Sequence, residues 1–473
     1  MKPSKTVDIS VRIALIAVVA ACLAFAARKC SAQEPADPAD PREVFRALGV
    51  EDEYFDRLAD GLPIGREERD SLFRVMHRLR KFPTEKQKRW AMDSKLLETA
   101  LVRPKDYRGQ IFGLRGRILD VKPLAVPKED AERYEMKVYY CCMLKLDSLV
   151  QPIVVFTETV PRQWKNGAKP NTEGGALGVF MKNANLFSEA PPGETNLMPV
   201  FAAARIAWYP NNLLGRLGMD VGLLDTVENQ EPLTKEESPA FYEMLAAVGR
   251  AQPGQLADQA KANLPKMPQK FRWTDSFGQD QYSIVPLFND AQNQTGRLVM
   301  LRGTTRLVEK VHVEPEIAAE YGFDHYFNVM LVTADSQGNP LTFCVLELPE
   351  GMPQGSKTRY AEDIQIAGFF FKTWSYDVQV RSDKTDKTIT RKQLSPLLIG
   401  RSLVWRPESP RSQTGLNTIV AVVFIAAMFA IWFVAWRSSR NSRRWVDQAL
   451  SKQPDFTNID NLGNDINEQD RQP

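Results

Sequence analysis

At 473 residues the chain is too long for a single hydrophobic core, and 43% apolar with 25% charged residues places it among ordinary globular proteins. Its net charge of +3 is unevenly held: residues 1–32 carry +4, residues 437–473 are neutral, and the middle, 33–415, is left at −1. A body that close to neutral lacks the basic excess of a nucleic-acid binder, although a local basic face stays open.

In chain order, fifteen apolar residues from Ile13 to Ala27 follow a basic start, and Cys30-Ser31-Ala32 offers small residues before Gln33. This predicts a secretory signal peptide over 1–32; Arg28-Lys29 are awkward there, and an uncleaved anchor is the alternative. Residues 33–41, rich in Pro, Ala and Asp, read as a short stiff linker. From there the chain uses one block twice. Leu48-Gly49, Phe55-Asp56, Pro63 and Glu67-Glu68 return 169 positions later as Leu217-Gly218, Leu224-Asp225, Pro232 and Glu236-Glu237. Leu114-Arg115-Gly116 returns after 187 positions as Leu301-Arg302-Gly303, and Asp147-Ser148 and Pro161 after 188 as Asp335-Ser336 and Pro349. Constant offsets over residues that punctuate backbone geometry predict a tandem duplication.

Each copy opens with a helical part, 42–106 and 211–292. Leu72, Phe73, Val75, Met76 and Leu79 have helical spacing, repeated by Phe241, Tyr242, Met244, Leu245 and Val248. A further helix is expected over Glu85 to Ala100, with Thr84 and Gln87 as its capping box. The offset then grows by eighteen residues, which predicts a polar surface excursion within Ala251 to Lys270. Strand-rich parts follow at 107–210 and 293–407. Five strands are expected in the first, Gln110 to Pro123, Lys137 to Leu146, Ile153 to Thr159, Ala176 to Lys182 and Val200 to Trp208. Five more are expected in the second, Gly296 to Val311, Tyr326 to Thr333, Leu341 to Leu348, Ile364 to Thr373 and Leu397 to Trp405. Gly116 and Gly303 interrupt long first strands, letting one strand curl across two sheets. After a linker at 408–418, eighteen apolar residues from Ile419 to Trp436 predict a transmembrane helix. Arg437, Arg440, Arg443 and Arg444 follow at once, which puts the tail 437–473 in the cytoplasm and the body outside. That tail is polar, is expected to be disordered, and could engage a cytoplasmic partner.

A long first strand carrying a Gly, a hairpin turn after an Asp and a Gly opening strand four resemble the OB-fold, closest to its anticodon-binding-like group. The resemblance implies a five-stranded β-barrel in each copy and, with the helices, an α+β fold class. Little chain separates strands three and four of the first copy, where that family places a helix, so an open Ig-like sandwich is the competing fold.

Chemistry is sparse. No HExxH, paired CxxC or CxxCH spacing surrounds His77, His312 and His325, so no metal site and no cofactor is expected. No glycine-rich phosphate loop or GxSxG elbow is present either, which disfavours an enzyme. Cys141, Cys142 and Cys344 lie in apolar runs and read as buried thiols. OB barrels bind along strands two and three with aromatic platforms, so the resemblance nominates Tyr139 and Tyr140, and Tyr326 and Phe327, as ligand-binding. Arg115 and Arg302 recur beside the strand-one Gly and could hold an anion, with a structural ion pair as the plainer role. Trp208 and Trp405 are expected to close the ends of the barrel cores. Together these features predict a membrane-anchored, extracytoplasmic, non-enzymatic binding or scaffold module for a protein or extended polymer. The alternatives are an envelope enzyme or cofactor carrier without a familiar motif, and single-stranded nucleic-acid binding through the barrels.

Overall fold

Apolar residues that alternate inward, broken by turns, form the strands, and short helices are interleaved with them along the chain. The computed structural model describes residues 40–185, 197–275, 278–355, 360–381, 388–407 and 421–437. The expected signal segment, most of the expected first linker, the expected juxtamembrane linker and the residues beyond Arg437 lie outside the described residues.

In the first half β1 (Ile111–Ala125), β2 (Val138–Leu146), β3 (Ile153–Thr159), β4 (Thr172–Ala184) and β5 (Met198–Arg205) pair in the order β1-β2-β3-β5-β4, and β4 closes on β1. Every neighbour is antiparallel except β3 and β5, which run parallel. The result is a closed five-stranded barrel, compatible with an OB-like one, and the open sandwich is set aside. Closure depends on β1: its first half pairs with β4 from Ile111 to Ile118, and its second half with β2 from Gly116 onward. Gly116 sits where the two pairings overlap, and a Cβ there would collide with the carbonyl of Lys145. The glycine therefore permits close approach, while the register shift comes just after it, between Ile118 and Asp120. The last strand ends earlier than expected, because after Ile206 a short β6 (Ala207–Tyr209) leaves β3 and pairs with the start of β4.

In the second half, after a small hairpin of β7 (Arg272–Thr274) and β8 (Asp280–Tyr282), the pattern of pairing recurs. The strands β9 (Leu298–His312), β10 (His325–Thr333), β11 (Leu341–Val345), β12 (Glu362–Arg381) and β13 (Thr388–Gly400) pair in the order β9-β10-β11-β13-β12. β12 closes on β9, β11 and β13 are parallel, and Gly303 packs against the Val332 carbonyl as Gly116 does against Lys145. β12 and β13 are longer than predicted, pairing as far as Arg381 and Thr388, and a separate β14 (Leu403–Arg406) returns to β12.

The helical stripes are packing faces. In α1 (Arg66–Leu79) all five stripe residues are buried, in one core with Val154, Val200 and Ala202 of the barrel. The helix α3 (Ser238–Gly249) buries Phe241, Met244, Leu245 and Val248, with Phe241 edge-on to Phe371 at 5.8 Å; Tyr242 is only half-buried. Burial of four or five such side chains, at about 1.5–3 kcal/mol each, fixes each helix on its barrel.

Two expectations are corrected. The helix expected to Ala100 stops at Trp90: α2 spans Thr84–Trp90, then Met92–Asp93 pairs with β1, and Asp93 caps a new turn through Lys95 N–H at 2.9 Å. Thr84 is already helical and caps nothing, and Gln87 instead donates to the carbonyls of Leu79 and Phe82, closing the end of α1. Second, Ala251 to Lys270 is no loose excursion. α4 (Gln255–Asn263) lies within it and buries Leu256 and Ala260, one turn apart, against the second barrel. Between β3 and β4 there is only a single 3-10 turn, Arg162–Trp164. Trp164 meets Trp208 at 5.7 Å on the end of the first barrel core, while Trp405 packs on the second and donates to Glu362 at 2.8 Å.

The segment from Pro407 forms a unit of its own. Its described part, 421–437, is helical with exposed apolar side chains, Phe424 at 68% and Trp432 at 63% among them. Among the described residues no helix is long and apolar enough to cross a membrane; the expected span begins at Ile419, outside them.

Candidate functional site

Two buried lysine–glutamate pairs join residues far apart in the chain. A bulge in β4 between Phe180 and Lys182 turns the Lys182 ammonium onto both oxygens of Glu68 at 2.8 Å. In the second half a bulge between Phe370 and Lys372 turns Lys372 onto Glu237 at 2.7 and 2.9 Å. Each carboxylate also accepts from two loop N–H groups, Ala59 and Gly65 in one case, Glu228 and Thr234 in the other. The two sets of N–H donors are 169 positions apart, as are the carboxylates that accept from them. Burial pushes the Glu68 carboxyl up, but Lys182 and the two N–H donors outweigh it and hold it below its usual value. These pairs fasten each helical part to its barrel, and all their polar atoms are engaged.

The nominated aromatics are packed rather than open. Tyr140 and Phe327 are buried among barrel residues, whereas Tyr139 and Tyr326 lie under the helices, 5.0 Å from Phe73 and 5.6 Å from Phe241. Burial raises the phenol pKa of Tyr139, Tyr140 and Tyr326. Alternation along a strand required one inward residue of each pair; the helix claims the other, which single-strand reasoning does not reveal. Arg115 and Arg302 each form an ion pair with the fourth strand, to Glu173 at 2.7 Å and Asp363 at 3.0 Å.

Beside those two arginines the surface opens. In the first half a cleft of about 350 Å³ lies over the outer face of β1, lined by Arg117, Asn171, Thr172, Glu173, Tyr209 and Arg216. Asn171 holds a left-handed backbone, φ 45°, and accepts from Arg117 at 3.3 Å. The Tyr209 ring lies 4.7 Å beneath the Arg115 guanidinium, and burial, with Asp220 and Glu243 nearby, pushes its hydroxyl up to about 12. In the second half a cleft of about 390 Å³ lies between β9 and the β7–β8 hairpin, lined by Trp273, Tyr282, Met300, Arg302, Arg306 and Asp335. Neither cleft was legible beforehand, since each gathers residues from three or more segments. No protein-family model and no curated protein matches the chain.

A third cluster lies where the halves meet. Asp220 accepts from Trp208 and Gly222 N–H at 2.9 Å and pairs with Arg205 at 2.6 Å, while its own N–H donates to Glu243 at 2.9 Å. Burial raises both carboxyls, Arg205 opposing it at Asp220. Lys88 of the first half reaches Glu320 of the second at 3.3 Å.

Among the described residues no group of three or more His, Cys, Asp or Glu could hold a metal ion. His325 pairs with Asp324 at 2.6 Å. Cys142 and Cys344 are buried and Cys141 half-buried, and all three are free. Burial pushes Cys141 up to about 11 and Cys344 to about 12, so these thiols are poor nucleophiles.

Proposed function

We propose that the protein is a membrane-anchored binding module, made by duplication of one helix-plus-OB-like-barrel block and held outside the cytoplasm by its C-terminal helix. The observation that carries the binding reading is that each half opens a cleft over the outer face of its first strand, beside the arginine paired to strand four. Duplication is supported by the shared pairing order and by the two buried lysine–glutamate pairs with matching loop donors. Anchoring is supported by the apolar run Ile419 to Trp436, the arginines that follow it, and the exposed apolar helix at 421–437.

Binding rather than catalysis fits the chemistry. The raised acids Asp220 and Glu243 hydrogen-bond within the seam, and neither lines either cleft. The partner is a protein or an extended polymer, the forms of ligand able to reach shallow clefts on two barrels. Tyr139, Tyr140, Tyr326 and Phe327 would serve it by keeping strand two rigid.

Affinity purification from solubilised membranes tests this. Wild-type protein should recover a partner that Trp273→Ala and Arg117→Ala variants lose. Repeated recovery of nothing, or equal recovery by both variants, sinks the binding reading. Accessibility of a cysteine placed in the tail, measured in intact and opened cells, tests the orientation separately.

A further inference from the structure

The two clefts differ in charge, and the first half's is the less balanced. Arg115 is matched by Glu173, which lies on the cleft wall. Among the described residues Arg117 donates only to the side-chain oxygen of Asn171. Arg216 is exposed, and among the described residues its guanidinium has no hydrogen-bond or ion-pair partner. The cleft thus holds two guanidinium groups with no carboxylate partner among the described residues, one from β1 and one from the turn after β6. Around them stand hydrogen-bonding side chains of Asn171, Thr172 and Asn211. Behind the wall, the charge of Asp220 is taken up by Arg205.

Cations that converge from two separate segments, with amide and hydroxyl groups between them, suit an anion with oxygens pointing in several directions. A flat carboxylate is satisfied by one guanidinium fork, whereas a tetrahedral oxyanion can engage two guanidiniums and the neutral donors together. At about 350 Å³ the cleft has room for such a group and part of what carries it. We propose that the first-half cleft binds a phosphate-class oxyanion, borne either by a lipid headgroup or by a soluble phosphorylated molecule or polymer. This rests on the binding-module reading and names its ligand chemistry.

The test uses the full chain in a non-ionic maltoside detergent, titrated with inorganic phosphate, glycerol phosphate and benzoate and followed by ligand-observed NMR. Both phosphates should bind, and benzoate should compete at least tenfold more weakly. Arg117→Gln and Arg216→Gln should each weaken phosphate at least tenfold, while Arg66→Gln, an exposed arginine that lines neither cleft, leaves it unchanged. Circular dichroism spectra matching the wild type establish that the variants fold. No phosphate binding by the wild type, equal competition by benzoate, or unchanged affinity in both arginine variants overturns the proposal. Flotation of wild type and Arg117→Gln with phosphatidic acid against phosphatidylcholine vesicles separates the sources: extra flotation on phosphatidic acid that Arg117→Gln removes assigns the lipid, and equal flotation on both vesicles assigns the soluble group. Partner recovery that survives the two glutamine variants removes the oxyanion and leaves the module reading standing. Phosphate binding without any recoverable partner does the reverse.

Discussion

Lys372 and Glu237 allow the sharpest energetic test. Their side chains are 0% and 1% exposed, so neither charge has water to fall back on. Lys372→Met refills the lysine's aliphatic volume but leaves the Glu237 carboxylate buried with only two N–H donors, which should cost about 3–5 kcal/mol. Glu237→Gln strands the ammonium beside the Pro232 carbonyl and one amide oxygen, and should cost a similar amount. In the double variant no charge is left. One loop N–H goes unsatisfied, at about 1–3 kcal/mol, so the double should be more stable than either single. The coupling free energy, on the order of 5 kcal/mol, is read from urea unfolding of the four proteins followed by far-ultraviolet circular dichroism. A cost below about 1 kcal/mol for Lys372→Met, or a double variant as unstable as the two singles added, would refute the buried-pair argument. Lys182→Met in the first half should be milder, because the Glu68 side chain keeps 10% of its exposure and can draw partial solvation.

Other consequences follow from the same physics. Glu68 has a depressed folded pKa, so its contribution is complete above the unfolded-chain value of 4.5 and is lost as pH falls through the lower folded one. Lys182→Met removes the lysine's part of that lowering, so the folded pKa of Glu68 should rise and the loss of stability on acidification should shrink, measured by urea midpoints. Asp220 and Glu243 already have raised folded values, so they favour the folded state increasingly as pH falls through those values; Glu243→Gln should flatten that part of the profile. Gly303→Ala forces a methyl into the Val332 carbonyl and should cost about 1–3 kcal/mol or more, with Gly116→Ala alike, by thermal unfolding. Arg115→Gln, whose ion pair with Glu173 is more than half exposed, should change stability by less than about 1 kcal/mol.

What could be read beforehand, and what could not, follows from how local each cause is. Strand positions were legible because inward apolar residues and turn chemistry are written within ten residues; β1, β2 and β3 begin and end within two residues of expectation. The stripe on α1 was legible for the same reason. The lysine–glutamate pairs were half-visible. Glu68 and Glu237 stood out as beats at a constant offset, but Lys182 lies 114 positions from its partner and Lys372 lies 135. What aims them inward is a strand bulge, which has no sequence signature beyond an unremarkable Met181 or Phe371. α4 was missed because two apolar residues in a polar, alanine-rich run make a weak period, although two suffice once a barrel wall is there to receive them. Such contrasts bear on the duplication reading. The features the halves share are buried and geometric: glycines at close approaches, bulges, and ion pairs with loop donors at equal offset. Those that differ are exposed, with Arg117 and Arg216 in one cleft and Trp273 and Arg306 in the other. If the proposed duplication holds, a copied framework under common packing constraints, carrying two surfaces free to change, would suit two distinct ligand groups on one chain.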